Sequence, residues 1–421
     1  MNISKLKSEA QRETRLRTPK FIISTPEPKD GVAKYAAELA AALAQTGIET
    51  VLFCPSNFEF KAIAELGGAK IACAPDRDVA SASLARRIFR NLAFMVKAAA
   101  AQLRLTSRGD VVHFQNPLHF PLGFVFYALV WLKRGTVVLT VHDPLPHRWR
   151  FPGSLARIER AMLGWAYRLP NAVVVHNVPG REILTTSFGV AANRVHIIPH
   201  GPDSGSFVGS IYPDFSQLRL LAFGAIRRNK GLHLAIAGVQ ALKNALSVPV
   251  SLTIRGELYT AAESGYWNEC KAMIAADSAA IDAELGFVPD HEIAELLAGH
   301  HALILPYGEF YSESGVAALA LSHRRPLLAT NAGGLAEMLD QFHCGILIGE
   351  FTQGAVEDAI RTAVDAGAGR LEQMGIAGEY ALRNLRSWES IGRRTAQLYC
   401  DLLQIEHSSL VGELVGTGQD H

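Results

Sequence analysis

Leu220-Leu-Ala-Phe-Gly-Ala-Ile-Arg-Arg-Asn-Lys-Gly231, continued by Leu232 to Leu242, decides the fold. Leu220 to Phe223 is an apolar run of strand length, and Gly224 ends it. Arg227, Arg228 and Lys230 crowd the short loop that follows, and Leu232, Ile236, Val239 and Leu242 then recur at helical spacing. Strand, glycine turn, cationic loop and helix is the order in which open parallel sheets build ligand sites at the carboxyl ends of their strands. Cations beside a helix N-terminus suit a polyanion such as a pyrophosphate. A solvated basic turn is the plainer alternative for this stretch by itself.

Outward from there the same rhythm repeats. Before the loop, strands are expected at Phe21–Thr25, Ile48–Cys54, Ala69–Ala74, Val111–Phe114, Thr136–Val141, Ala172–Val175 and Val195–Pro199. After it they are expected at Leu218–Phe223, Val250–Arg255, Ile281–Phe287, His301–Leu305, Pro326–Thr330 and Gly345–Ile348. Helical stretches separate them, which implies βαβ units and parallel sheets. The fold class is therefore α/β, with two Rossmann-like parallel-sheet domains facing an interdomain cleft. Gly201 to Ser206 is the best linker. It divides a domain over 20–205 from one over 206–387. Residues 1–19 and 407–421 read as flexible ends, and 388–406 as a C-terminal helix packing back on the first domain.

The chain has 421 residues, and 49% hydrophobic with 19% charged content fits sizeable cores. Five scattered cysteines without a Cys-x-x-Cys point to a reducing compartment, with neither a disulfide framework nor a structural zinc site. No secretory leader is expected in residues 1–19, and the apolar run Phe120 to Leu132 is too short to span a bilayer. A cytoplasmic protein follows, peripheral at the inner face of the membrane. Residues 1–210 hold 26 Lys and Arg against 15 Asp and Glu, leaving 15 against 25 in the remainder. A basic first half suggests an anionic membrane, lipid or phosphate partner; attraction between the two halves is the other reading. The helix Ser81 to Leu105 is basic and amphipathic, as is the stretch with Arg148, Trp149, Arg150, Phe151, Arg157 and Arg160. Each suits a membrane surface, although an ordinary surface helix has the same composition.

Three further loops fit phosphate chemistry. Asp30-Gly31 opens a helix after the first strand, with Asp30 as N-cap and Gly31 admitting close backbone approach. Ser314-Gly315-Val316 opens another after Ala302 to Tyr307. Thr330-Asn-Ala-Gly-Gly334 precedes Glu337, which by position alone is a surface residue favoured by the helix dipole. No Gly-x-Gly-x-x-Gly follows the first strand, which weakens a dinucleotide oxidoreductase. Asp76-Arg-Asp78 has the form of a metal-binding Asp-x-Asp but lies in a Pro-rich turn. His142, Asp143 and His147 are a weak metal candidate because two prolines separate them, and His300-His301 reads as structural.

Taken together, these pieces resemble the retaining family-4 glycosyltransferases of GT-B architecture. The resemblance rests on Phe223-Gly-x-Ile-Arg-x-x-Lys-Gly231, Leu285-Gly-Phe-Val-Pro-Asp290, Leu305-Pro-Tyr307, Ser314-Gly-Val316 and Pro326 through Glu337. Thr140-Val-His-Asp143, Val195-His-Ile-Ile-Pro-His-Gly201 and Trp388-Glu389 to Tyr399 extend it over about residues 20–403. It implies a nucleotide-diphosphate sugar donor of UDP or GDP type and a glycan or lipid-linked acceptor. No cofactor, metal or nucleic acid is implied. Arg227 and Lys230 would hold the donor pyrophosphate beside Gly224. Ser314, Gly315 and Val316 would contact phosphate or ribose, and Glu337 belongs to the donor set. Phe287 and Val288 would flank the base, Gly31 would meet the phosphate–acceptor junction, and His142 the transferred sugar. Many relatives carry two Glu eight positions apart. Here Glu309 pairs with Ala317 and Glu313 with Leu321, so the second carboxylate is missing and Glu309 or Glu313 stands as the first. Ala225 replaces a frequent Arg, with Arg227 as its substitute. A degenerate binding subunit and a sugar-nucleotide epimerase remain as alternatives.

Overall fold

The computed structural model describes residues 18–75, 84–117, 123–146, 149, 153–202 and 211–406. Two compact units divide the chain. Met1–Val141, Arg150–Val174 and Gly392–His421 form the first; His142–Trp149 and Val175–Ile391 form the second.

The chain starts with β1 (Phe21–Ser24), α1 (Gly31–Gln45), β2 (Thr50–Pro55), α2 (Lys61–Leu66), β3 (Lys70–Ala74), α3 (Leu84–Leu105) and β4 (Val111–Gln115). It continues through α4 (Gly123–Leu132), β5 (Thr136–Thr140), α5 (Ser154–Arg168), β6 (Ala172–Val175), α6 (Val178–Glu182) and β7 (Val195–Ile197). These strands make a seven-stranded sheet in the order β3-β2-β1-β4-β5-β6-β7. Pairing is parallel; Phe21 on β1 lies opposite both Thr50 and Val111. β1, β4 and β6 are buried throughout, as parallel strands covered on both faces are. His113 on β4 is buried too. Its Nδ1 lies 2.7 Å from the Tyr399 hydroxyl and its Nε2 2.7 Å from Thr140 Oγ1. Burial pushes its pKa down to about 3, so the ring is neutral. Tyr399 also stacks on Phe21 at 5.0 Å.

A second series follows: β8 (Leu218–Phe223), α7 (Leu232–Leu242), β9 (Val250–Gly256), α8 (Ser264–Ala276), β10 (Ile281–Leu285), α9 (Asp290–Ala298) and β11 (Ala302–Leu305). Then come α10 (Gly315–Ser322), β12 (Leu327–Thr330), α11 (Leu335–Phe342), β13 (Gly345–Ile348), α12 (Gln353–Leu385, broken at Gly367) and α13 (Trp388–Leu403). The sheet is six-stranded and parallel, ordered β10-β9-β8-β11-β12-β13. Alternation along its strands feeds two cores. Leu218, Leu220 and Leu252 pack with Ile236 of α7 and Ile360 of α12; Leu221, Leu303 and Leu327 pack with Leu321 of α10 and Leu335 of α11.

Strand ends differ from the sequence expectation by a residue or two. The strand expected to reach Phe287 stops at Leu285, which pairs with Gly256, the last residue of β9; the Gly286 N–H bond to Gly256 O closes the ladder. His301 precedes its strand; it accepts from Arg219 N at 3.0 Å and its Nε2 faces Asp214 O, so it serves as a brace. Asp76, Asp78, His147, Arg148, Arg150 and Phe151 lie outside the described residues, as do 1–17, 407–421 and most of the expected linker. Among the described residues no helix is long and apolar enough to cross a membrane.

Candidate active site

The cationic loop is assembled by close backbone contacts at the carboxyl edge of the second sheet. Gly224 has a φ of 103°, and a Cβ there would sit 3.0 Å from Val316 Cγ2 and 3.7 Å from Lys230 Nζ. Two sequence motifs, Phe223–Gly231 and Ser314–Val316, thus meet at one point. Gly231, at φ 63°, passes so close to the 306 carbonyl that a Cβ would lie 2.0 Å from that oxygen. Only glycine fits both the conformation and the space. Asn229 completes the stitch: its carbonyl accepts from Gly308 N at 2.7 Å, and its side-chain amide donates to Glu309 O at 2.9 Å.

The three cations have separate surroundings. Arg228 leaves the cluster: it pairs with Glu269 and lies over the Tyr266 ring. Arg227 sits over the Tyr259 ring at 4.4 Å, its buried Nε without a hydrogen-bond partner. Lys230 Nζ is 5.2 Å from the centre of the Tyr307 ring. Both are half-buried, and among the described residues neither forms an ion pair. Partly desolvated cations without a counter-charge favour an incoming anion.

Beside them α10 begins. Ser314 caps it, accepting from Ala317 N at 3.3 Å, so its oxygen is partly committed while its hydroxyl proton is not. Gly315 is exposed with open space around it. The amides of Gly315 and Val316 lie in the first turn, where no intrahelical acceptor exists. A seam of glycines continues across the neighbouring strands: a Cβ on Gly256 would meet Gly224 O at 2.0 Å, and Gly286 N donates to Gly256 O at 2.9 Å. The seam ends at exposed Phe287 and half-buried Val288.

The acids are distributed differently from the expectation. Glu313 Oε2 takes Arg386 Nη1 at 2.9 Å, with both side chains almost fully buried, and Asn177 approaches its Oε1 at 3.5 Å. The carboxylate fills the space over Gly334, where a Cβ would be 2.2 Å away. Arg386 also faces the Phe342 ring at 5.2 Å. Glu309 is exposed, next to the stitched loop. Glu337 differs from its reading as a surface residue. It is half-buried and accepts from Val178 N at 2.8 Å; burial first, then the Glu313 charge, raises its pKa.

His142 belongs to a group that local sequence reading misses. Its Nδ1 lies 3.0 Å from His176 Nε2, and His176 Nδ1 lies 2.9 Å from Ile198 O. His200 closes the group, 5.4 Å from the His176 ring, with its Nδ1 at Gly201 O. The carbonyl at Ile198 assigns the proton of His176 to Nδ1. His176 Nε2 then accepts from His142 Nδ1–H, which leaves His142 Nε2 as the unprotonated nitrogen. The findable signal was positional: His142 and His176 fall just past neighbouring strands β5 and β6. In the first unit, Gly31 opens α1 with free space above it, and Asp30 caps the helix, accepting from Ala33 N at 2.8 Å. Asp30 does so at a φ of 126°. Among the described residues no group of three potential metal ligands occurs.

Comparisons agree with this geometry. Residues 29–205 match the model of Glycosyltransferase Family 4, and residues 217–366 match Glycosyl transferases group 1. No curated protein matches the chain significantly. Among solved structures, Anabaena Alr3699/HepE, in complex with UDP and glucose, aligns with a TM-score of 0.68 at 14% identity over 91% of this chain and 100% of that one. Sucrose-phosphate synthase from Thermosynechococcus elongatus aligns at 0.70 and 16% identity over 92% and 99%. WaaG, a glycosyltransferase involved in lipopolysaccharide biosynthesis, aligns at 0.60 and 14% over 90% and 99%. With both halves matched in order and both sheets in place, the chain belongs to the GT-B glycosyltransferases, with a family 4 domain followed by a group 1 domain.

Proposed function

We propose that this enzyme is a metal-independent, retaining glycosyltransferase. It moves a hexosyl group from a nucleotide-diphosphate sugar to a glycan or lipid-linked acceptor, in polysaccharide or glycoconjugate biosynthesis. The observation that carries the reading is the meeting of Gly224, Lys230 and Val316, with Arg227 on the same loop over the Tyr259 ring. Two half-buried cations and two first-turn amides suit the charge of a pyrophosphate. UDP is the first nucleotide to try, since HepE is described with UDP and with UDP-glucose.

In this reading the bond between the anomeric carbon and the phosphate oxygen breaks as negative charge grows on the diphosphate. Arg227 and Lys230 stabilise that charge, taking the place a metal would otherwise have. The acceptor oxygen attacks the same face of the sugar, and its proton passes to the departing phosphate oxygen. No carboxylate is available as a nucleophile from Glu313, which is engaged by Arg386. Exposed Glu309 is left as the acid nearest the donor sugar. His142 Nε2, unprotonated through His176, accepts from a sugar hydroxyl. Phe287 and Val288 flank the base. Ser314 contacts phosphate or ribose, and Glu337 supports the donor loops by fixing Val178.

The test is nucleotide binding by thermal shift and calorimetry, with UDP, GDP, ADP and their sugars. Loss of one charge-assisted contact is worth about 1.5–3 kcal/mol, so Arg227→Ala and Lys230→Ala should each weaken diphosphate binding by roughly 10- to 150-fold. Unchanged affinity in both variants would refute the assignment. Buried Ala317, standing where relatives place a carboxylate, favours a second reading: a binding subunit without catalysis. Incubation with labelled sugar nucleotides and membrane extract separates the two. Tight nucleotide binding with no labelled product would select the second.

A further inference from the structure

The first sheet reverses its direction of growth after β3: β1 to β3 run outward one way, and β4 to β6 run the other. Right-handed crossovers therefore place α1 and α2 on one face and α3, α4 and α5 on the opposite face. α3 and α4 are in contact there.

This second helical layer has an unusual outer surface. From Gly123 to Leu132, α4 carries no charged residue at all. A helix apolar on every side is ordinarily buried on every side, yet Val125, Trp131 and Leu132 are 46%, 37% and 74% exposed. The chain then turns directly into Lys133-Arg134. On α5, Leu155, Ile158, Trp165 and Leu169 are exposed. With half-buried Met162 they recur at alternating intervals of three and four residues, which forms one stripe along the helix. Arg157 and Arg168 border that stripe, and the only acid on α5 is Glu159. On α3, exposed Leu92 and Val96 adjoin exposed Lys97.

Exposed apolar side chains on three helices of one sheet face mark an interaction site, and their charged neighbours select the occupant. A second copy of the chain would oppose Arg157, Arg160 and Arg168 to the same residues, a like-charge juxtaposition. A surface that is apolar within and negatively charged at its boundary satisfies both the stripe and the arginines. Tryptophans at such a boundary are favoured as well.

We propose that the outer face of α3, α4 and α5 seats on an anionic lipid bilayer. The apolar side chains enter the boundary between headgroups and acyl chains, and the flanking arginines and lysines meet the lipid phosphates. The inference goes beyond the transfer reaction and does not depend on it.

The experiment uses the full chain and the double variant Leu132→Glu/Ile158→Glu, both positions being exposed. Co-sedimentation is measured with vesicles of phosphatidylcholine alone and with about one third phosphatidylglycerol, at about 0.1 M and 0.5 M salt. The wild type should bind the anionic vesicles with a blue shift of tryptophan emission, and roughly tenfold or more weaker on neutral vesicles, at high salt or in the variant. An unchanged melting temperature of the variant shows that it is folded; if it is not, Trp165→Ser takes its place. Absence of vesicle binding by the wild type, or binding that the variants retain, overturns the proposal. A dimer of the wild type that the same substitutions dissociate also overturns it, by giving the face to a second copy. Nucleotide binding, read in the same samples, reports on the transfer reading separately.

Discussion

Replacing Glu313 by Gln, or Arg386 by Met, distinguishes an anchor from a catalyst. The pair is 2.9 Å apart with side chains 6% and 4% exposed, so screening by solvent is small. Removing one partner strands the other charge in a buried place. That loss is expected to cost about 3–5 kcal/mol, whereas replacing both by apolar residues of similar volume is often close to neutral. At roughly 2–4 °C per kcal/mol for a unit of this size, each single variant should melt about 6–20 °C lower in the second-unit transition. Glu313→Leu/Arg386→Met should recover most of that. Scanning calorimetry of the four proteins gives the double-mutant cycle directly. Single variants within about 1 kcal/mol of the wild type would refute the anchoring argument. So would a Glu313→Gln protein of undiminished stability that has lost sugar transfer, since that result places the carboxylate in the reaction.

Other consequences are equally open to measurement. Gly231→Ala combines a left-handed backbone with a clash at the 306 carbonyl and should weaken nucleotide binding at least as much as losing Lys230; native affinity would show that the loop shifts freely. His176→Leu should lower the turnover number while leaving the donor KM nearly unchanged, because it removes the acceptor for His142 Nδ1–H; a pure rise in KM would contradict that role. His113 supplies a pH signature. Its folded pKa of about 3 lies below the unfolded value of about 6.5. Between those values the unfolded chain holds more protons, so stability is complete above pH 6.5 and falls as pH drops towards 3, by about 1.4 kcal/mol per unit from this group. His301, lowered to about 4, acts in the same direction. Urea melts that stay flat between about pH 6.5 and 4.5 would count against a neutral buried imidazole.

The sheets were legible from the amino acids because parallel strands buried on both faces must be apolar runs. Leu218–Phe223, Ala172–Val175 and Gly345–Ile348 were readable to the residue. Strand ends were less so: Val141 and Phe287 continue the apolar pattern after the ladder has stopped. The cationic loop was visible as a local pattern. Its division of labour was not, since Arg228 finds Glu269 forty-one residues away. Glu313 meets Arg386 across 73 residues, and Val178 meets Glu337 across 159. Nothing in local spacing announces such partners. The histidine group was hidden for a related reason: its members follow different strands and only sheet order brings them together.

Asp30 is a side-chain-bearing residue wound into a backbone shape that glycine would occupy at ease. Holding it there stores about 1–3 kcal/mol, set against a capping bond that glycine could not make. The mouth of α1 is therefore kept under tension. Relaxing it with Asp30→Gly would let this turn wander, and the amide of Gly31 would lose its fixed heading.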